Sequence, residues 1–89
     1  MQQKSCDHIK AISNIKTATK HICEECIKLG DGWVHLRTCQ ECGVTLCCDD
    51  SKNKHATAHF HATKHPVINS AEPNEKWFWC YMDYAFVTY

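Results

Sequence analysis

The chain has 89 residues, eight of them cysteine, and its ten basic side chains are balanced by ten acidic ones. A single domain of this length buries only about 60% of its unfolded surface, so its core is thin and needs cross-links. Balanced charge with no Lys/Arg cluster argues against nucleic-acid binding, and the longest apolar run, Trp77 to Met82, falls far short of the roughly 20 residues of a bilayer span.

The N-terminus, Met1 to His8, has neither the apolar segment nor the small-residue cleavage site of an export signal. The chain is therefore expected in the cytoplasm as a monomer away from membranes, with cysteines that bind metal rather than form disulfides. Residues 1–5 read as a loose tail of a single domain spanning 1–89. The first twenty residues, polar with scattered Ile9, Ile12 and Ile15, read as an irregular arm tethered by whatever Cys6 and His8 bind. Two Cys-x-x-Cys knuckles follow, Cys23 to Cys26 and Cys39 to Cys42, bracketing a Gly30-Asp31-Gly32 turn and a strand from Trp33 to Thr38. Val44 to Cys47 reads as the hairpin partner of that strand. Asn53 is placed as the N-cap of a helix running to about Lys64, with Pro66 just beyond its end. Then come Pro66 to Asn69, a turn at Glu72-Pro73-Asn74, and strand-like runs from Lys76 to Met82 and from Tyr84 to Val87. The expected fold class is α+β, a short antiparallel sheet packed on one helix and stabilised by zinc.

The metal ligands are the most specific signal. A tight turn between the thiols of Cys-x-x-Cys lets both converge on one ion, and a structural zinc wants four sulfur or nitrogen donors in a tetrahedron. Cys6, His8, Cys23, Cys26, Cys39, Cys42, Cys47, His55, His59, His65 and Cys80 make eleven candidate donors, one short of three complete sites. Asp83 stands three residues after Cys80, where a second thiol would complete a knuckle, and a carboxylate oxygen is a legitimate zinc ligand. His55 and His59 lie one helical turn apart, whereas His61 falls on another face and is expected in solvent. Spacing alone leaves the pairing open: His55 and His59 could share one zinc, or the two knuckles could make a four-thiolate ribbon. Cys48 is left over and reads as a free structural thiol.

The order Cys6-x-His8, Cys23-x-x-Cys26, Trp33, Cys39-x-x-Cys42, Cys47, His55-x-x-x-His59, His65-Pro66, Trp79-Cys80 resembles the UBP-type zinc finger of ubiquitin-specific proteases and of a cytoplasmic histone deacetylase. The likeness is greatest to short stand-alone bacterial versions, and it covers nearly the whole chain, from Cys6 to about Phe86. The resemblance implies a cross-braced fold with three zinc ions. One ion would be held by Cys23, Cys26, Cys47 and His55, and a second by Cys39, Cys42, His59 and His65. A third would tie the arm to the C-terminal strand through Cys6, His8, Cys80 and the position of Asp83, which is cysteine in the eukaryotic members.

Catalysis is not expected. The His55 to His59 spacing is that of a zinc-protease helix, but Ala56 stands where the general-base glutamate would be. Sites with four protein ligands are closed and structural. An enzyme would need Asp83 not to bind, leaving Cys6, His8 and Cys80 with an open position, and a structural domain without any ligand is a further alternative. A binding role rests on aromatic residues. Strand alternation puts Trp77, Trp79 and Tyr81 on one face, with Phe78, Cys80 and Met82 on the other. The resemblance implies that Trp33, Trp79 and Tyr81 line a groove that, in eukaryotic members, holds the free C-terminal Gly-Gly of ubiquitin. Those members carry an arginine two residues after the third-knuckle cysteine. Here Cys47 is followed by Cys48, Asp49 and Asp50, an acidic pair that would repel a carboxylate and argues against ubiquitin itself. Arg37, the one arginine, shares strand parity with Trp33 and His35, and it is expected to anchor an anionic ligand or the C-terminal carboxylate of a peptide or protein partner.

Overall fold

A computed structural model describes residues 5–89, so Met1 to Lys4, most of the expected loose tail, lie outside the described residues. The elements in chain order are α1 (Asp7–Lys10), α2 (Glu24–Leu29), β1 (Leu36–Cys39), β2 (Thr45–Cys47), α3 (His55–Thr63), β3 (Val67–Ser70), β4 (Trp77–Cys80) and β5 (Ala85–Thr88). The five strands form one antiparallel sheet in the order β2-β1-β3-β4-β5. The fold is α+β as expected, but with three helices among the described residues where the sequence suggested one.

Local chemistry explains each helix. In α2 the Cys23 sulfur accepts the Cys26 amide at 3.3 Å and so caps the helix, which stops at Gly30 in the left-handed region with φ of 74°. That first knuckle therefore opens a helix rather than standing in a loop. α1 is a single turn inside the expected irregular arm, and its Ile9 is buried. α3 starts one residue later than predicted, because Lys54 occupies the N-cap position with no side-chain cap. Asn53 instead turns its amide toward Asp31, at 3.0 Å, and the Cys26 sulfur, at 3.6 Å. α3 ends at Lys64, also left-handed, whose amide returns to the Phe60 carbonyl.

The predicted strand from Trp33 begins only at Leu36, because the Val34 amide is taken by the Ser51 hydroxyl at 2.8 Å instead of by a neighbouring strand. Carboxylates finish the sheet: Glu24 accepts the Thr45 amide at 2.8 Å and Glu72 accepts that of Leu36 at 2.9 Å. Gln40 pins the arm by exchanging two hydrogen bonds with the Lys16 backbone, at 2.8 and 2.9 Å.

Two small cores result. The first gathers Cys23, Cys26, Leu36, Leu46, Cys47 and Ala56, with Trp33 packed against it. The second gathers Ile9, Val67, Phe78, Cys80 and Ala85, beneath Cys6 and Ile12. Cysteines supply half of the first core, and Ala56 is the one buried residue of α3. An apolar face this small cannot hold a nine-residue helix by itself. Among the described residues no helix is long and apolar enough to cross a membrane.

Candidate metal centres and the adjoining aromatic cavity

The first cluster joins the start of α2, the end of β2 and the start of α3. Cys23, Cys26, Cys47 and His55 converge there, with the three sulfurs 3.4, 3.3 and 3.6 Å from His55 Nδ1. Cys26 and Cys47 sulfurs are 3.8 Å apart, far beyond the S–S bond of about 2.05 Å of a disulfide. Around a tetrahedral zinc, bonds of about 2.3 Å to sulfur and 2.0–2.1 Å to nitrogen put two sulfurs about 3.8 Å apart and a sulfur and a nitrogen about 3.5 Å apart. The cluster therefore already has the edge lengths of a zinc tetrahedron. Its surroundings suit thiolate: the His55 amide points at the Cys47 sulfur at 3.2 Å, and Asn53 and the Cys26 amide donate to the other two sulfurs. Without a cation, burial pushes the Cys26 thiol up to about 12, so the pocket needs a positive ion to stabilise its ionised form.

The second cluster joins the β1–β2 turn to α3 and the loop after it. Cys39 lies 3.6 Å from His65 Nδ1 and Cys42 lies 3.5 Å from His59 Nε2, again the edges expected around zinc. The His59 and His65 rings stand edge to face with centroids 5.3 Å apart. Burial, then the neighbouring His65, lowers the pKa of His59 and keeps it in the neutral form a metal needs.

The third cluster ties α1 to the turn between β4 and β5. Cys80 lies 3.6 Å from both His8 Nδ1 and Asp83 Oδ2, and Cys6 completes the set. This cluster departs from a tetrahedron in one edge. His8 Nδ1 and Asp83 Oδ2 are 2.7 Å apart, a hydrogen bond, where two ligands of one zinc would sit about 3.4 Å apart. That hydrogen bond, and then the one from Cys6, holds the Asp83 carboxyl below its ordinary range. Burial pushes the Cys80 thiol up to about 11.

The twelve residues singled out in the sequence thus fall into three sets of four. His55 and His59 serve different clusters, and the two knuckles do not meet, so neither the shared-histidine pairing nor the four-thiolate ribbon is formed. His61 is exposed.

Beside these clusters lies a cavity of about 190 Å³ lined by Arg37, Ile68, Trp77, Trp79, Tyr81 and the Cys48 to Asp50 turn. Arg37, Trp79 and Tyr81 come together as expected. Trp33 does not: with β1 starting at Leu36, its side chain packs against the first core instead. Trp77, placed by alternation on the face of Trp79, takes part in its stead. Arg37 lies 4.6 Å above the Trp77 ring, and its Nη1 reaches the Leu36 carbonyl at 3.0 Å, the Ser70 hydroxyl at 3.4 Å and Glu75 at 3.9 Å. Tyr81 stacks on Phe60 of α3 at 4.8 Å, and its hydroxyl meets that of Thr57, which donates to Asp49.

Comparison with known proteins fits this geometry. The family model described as "Zn-finger in ubiquitin-hydrolases and other protein" matches residues 23–89. A curated relative, the NAD-dependent deacetylase sir2A of Dictyostelium discoideum, is 39% identical over 59 residues, which is 66% of this chain and 10% of that protein. The chain thus spans about a tenth of the length of that relative. The solution NMR structure of protein RPA1320 from Rhodopseudomonas palustris is 48% identical and superposes with a TM-score of 0.85, covering 98% of this chain and 84% of the other.

Proposed function

The chain belongs to the UBP-type zinc-finger family, and on that premise we propose that it is a non-catalytic protein-interaction module, braced by three zinc ions, that holds a partner peptide by its free carboxylate in the aromatic cavity. The observation that carries this reading is the division of labour among the side chains. Twelve donors are grouped in closed sets of four, which leaves no open position for an activated water. The cavity beside them presents three aromatic rings and one guanidinium that no such set uses.

Zinc supplies structure here, fixing α2, α3 and the arm on the sheet; recognition falls to the chain's own side chains. The rings of Trp77, Trp79 and Tyr81 offer apolar walls for a peptide backbone. Arg37 is held over Trp77 with its charge in the cavity wall, and its 3.9 Å pairing with the half-exposed Glu75 is worth little. An incoming carboxylate can therefore compete for it, with a bidentate geometry that Glu75 does not make. A larger cavity of about 430 Å³ lies between the arm, at Ile15 and Ala18, and residues 69–76; it holds Tyr89 and Lys76 but also two carboxylates, Glu72 and Glu75, and lacks the three-ring wall of the smaller one.

The test is a titration with a short peptide and its C-terminal amide, followed by tryptophan fluorescence. The free acid should shift the emission and the amide should not. Arg37→Ala should abolish the difference; binding unchanged by that substitution for every peptide tried would leave a structural domain without a ligand as the better reading.

A further inference from the structure

Among the described residues the three four-donor clusters leave one more group of metal-ligating atoms unused. An imidazole nitrogen of His35, the Cys48 sulfur and a carboxylate oxygen of Asp50 lie within 4.8 Å of one another. The hairpin puts them there. The Cys48 amide donates to the His35 carbonyl at 3.0 Å and so extends the β1–β2 ladder one pair past Leu36 and Cys47. The next turn, closed by the Ser51 amide on the Cys48 carbonyl at 3.0 Å, carries Asp50 back to the same spot. We infer that His35, Cys48 and Asp50 form a fourth divalent-metal site, with three protein ligands and one open position.

The donor mix selects the ion. One sulfur, one imidazole and one carboxylate suit zinc or cobalt(II), whereas magnesium and calcium want oxygen shells. Three protein ligands with a free fourth position is the arrangement that takes up an exogenous group. Ligand number separates this site from the other three: it has three protein donors rather than four, and of these Cys48 is 5% exposed while His35 and Asp50, like His8 and Asp83 of the third cluster, lie on the surface. Its ion would therefore exchange with solvent far more readily than the braced ones.

Its position gives it a role. Cys48 and Asp50 also line the aromatic cavity, so the ion would stand at the cavity's edge. Asp50, which unliganded repels a carboxylate, becomes part of a cationic centre, and the open position can accept a carboxylate oxygen of the partner peptide. This second step rests on the carboxylate reading of the cavity; the metal site itself does not.

The site is tested by loading the whole chain with zinc or cobalt(II) and counting ions by native mass spectrometry in the wild type, His35→Ala, Cys48→Ser and Asp50→Asn, with circular dichroism to check the fold. Each variant is expected to hold one ion fewer than the wild type, whatever the wild-type total, with affinity for the lost ion down at least about 100-fold. His35→Ala and Asp50→Asn change exposed side chains, so they carry the test if Cys48→Ser does not fold. Equal counts in the wild type and the folded variants would overturn the site. A free-carboxylate peptide should alter the visible spectrum of the cobalt form, and its amide should not. If the peptide binds the wild type and Asp50→Asn equally while their ion counts differ, the metal site stands and its part in peptide binding is wrong.

Discussion

Cys26→Ala is expected to unfold the protein at room temperature. Cys26 is completely buried, with the His55 nitrogen at 3.3 Å and the Cys47 sulfur at 3.8 Å. The elements it joins have little else to hold them. α2 and α3 contain six and nine residues, each residue costing about 1–2 kcal/mol to order. Against that, the buried residues of the two helices are Cys26 in one and Ala56 in the other. A structural zinc contributes about 10–16 kcal/mol at neutral pH, as much as the roughly 5–15 kcal/mol of net stability of a whole domain. Losing even half of it leaves no folded state. Far-UV circular dichroism and thermal melting measure the loss, and the Trp33 indole resonance reports locally because that ring packs on the same core. His61→Ala is the control, since His61 is exposed and belongs to none of the donor clusters; it should cost below about 1 kcal/mol. A Cys26→Ala protein that keeps its metal count and melts within a few degrees of wild type would refute the argument.

Removal of the third brace should have milder effects. Asp83→Ala should release one ion and free α1 from the sheet, with a destabilisation of about 2–4 kcal/mol dominated by exposure of Ile9, and raised amide exchange confined to residues 6–12. Asp83→Cys should instead tighten zinc at that site, because a thiolate there would replace the short His8 contact with an ordinary tetrahedral edge. Zinc loading should depend steeply on pH. The metal-free thiols of Cys26 and Cys80, pushed up to about 12 and 11, are protonated at neutral pH, so each zinc must displace protons and affinity must rise with pH. Calorimetry in buffers of different ionisation enthalpy at pH 7.5 should show net proton release on loading with zinc; no release would contradict the raised thiols of Cys26 and Cys80. With the metal removed the sign reverses. A folded-state pKa of about 12 above the ordinary 9.0 means that any metal-free fold loses stability as pH climbs through that interval, which a pH series of urea melts in chelator would show.

Cysteine and histidine spacing makes the metal clusters legible, because thiols three positions apart and histidines one helical turn apart can reach only certain neighbours. The groupings themselves needed the family likeness, since spacing equally permits a ribbon of four thiolates. Alternation also placed Trp79 and Tyr81 together correctly. What stayed hidden had a local cause each time. α2 carries Ile27 and Leu29 more than half exposed, so it shows no amphipathic stripe. β3 is four residues long, central and buried throughout, so it shows no alternation. Trp33 falls outside the strand because a serine eighteen positions downstream takes the Val34 amide and delays the start of β1 to Leu36, an interaction between segments that propensity does not register.

The stack of Tyr81 on Phe60 makes the cavity a tenant of α3. One wall leans on a helix that meets the metal clusters through His55 and His59, each standing in a different one, with Ala56 as its one buried residue. The shape of the cavity, and with it the peptide binding proposed above, is thereby subordinate to metal supply, although none of the three bracing clusters shares a residue with the cavity. A cell short of zinc would hold a chain that is still present and chemically intact, yet without the cavity proposed to receive its partner.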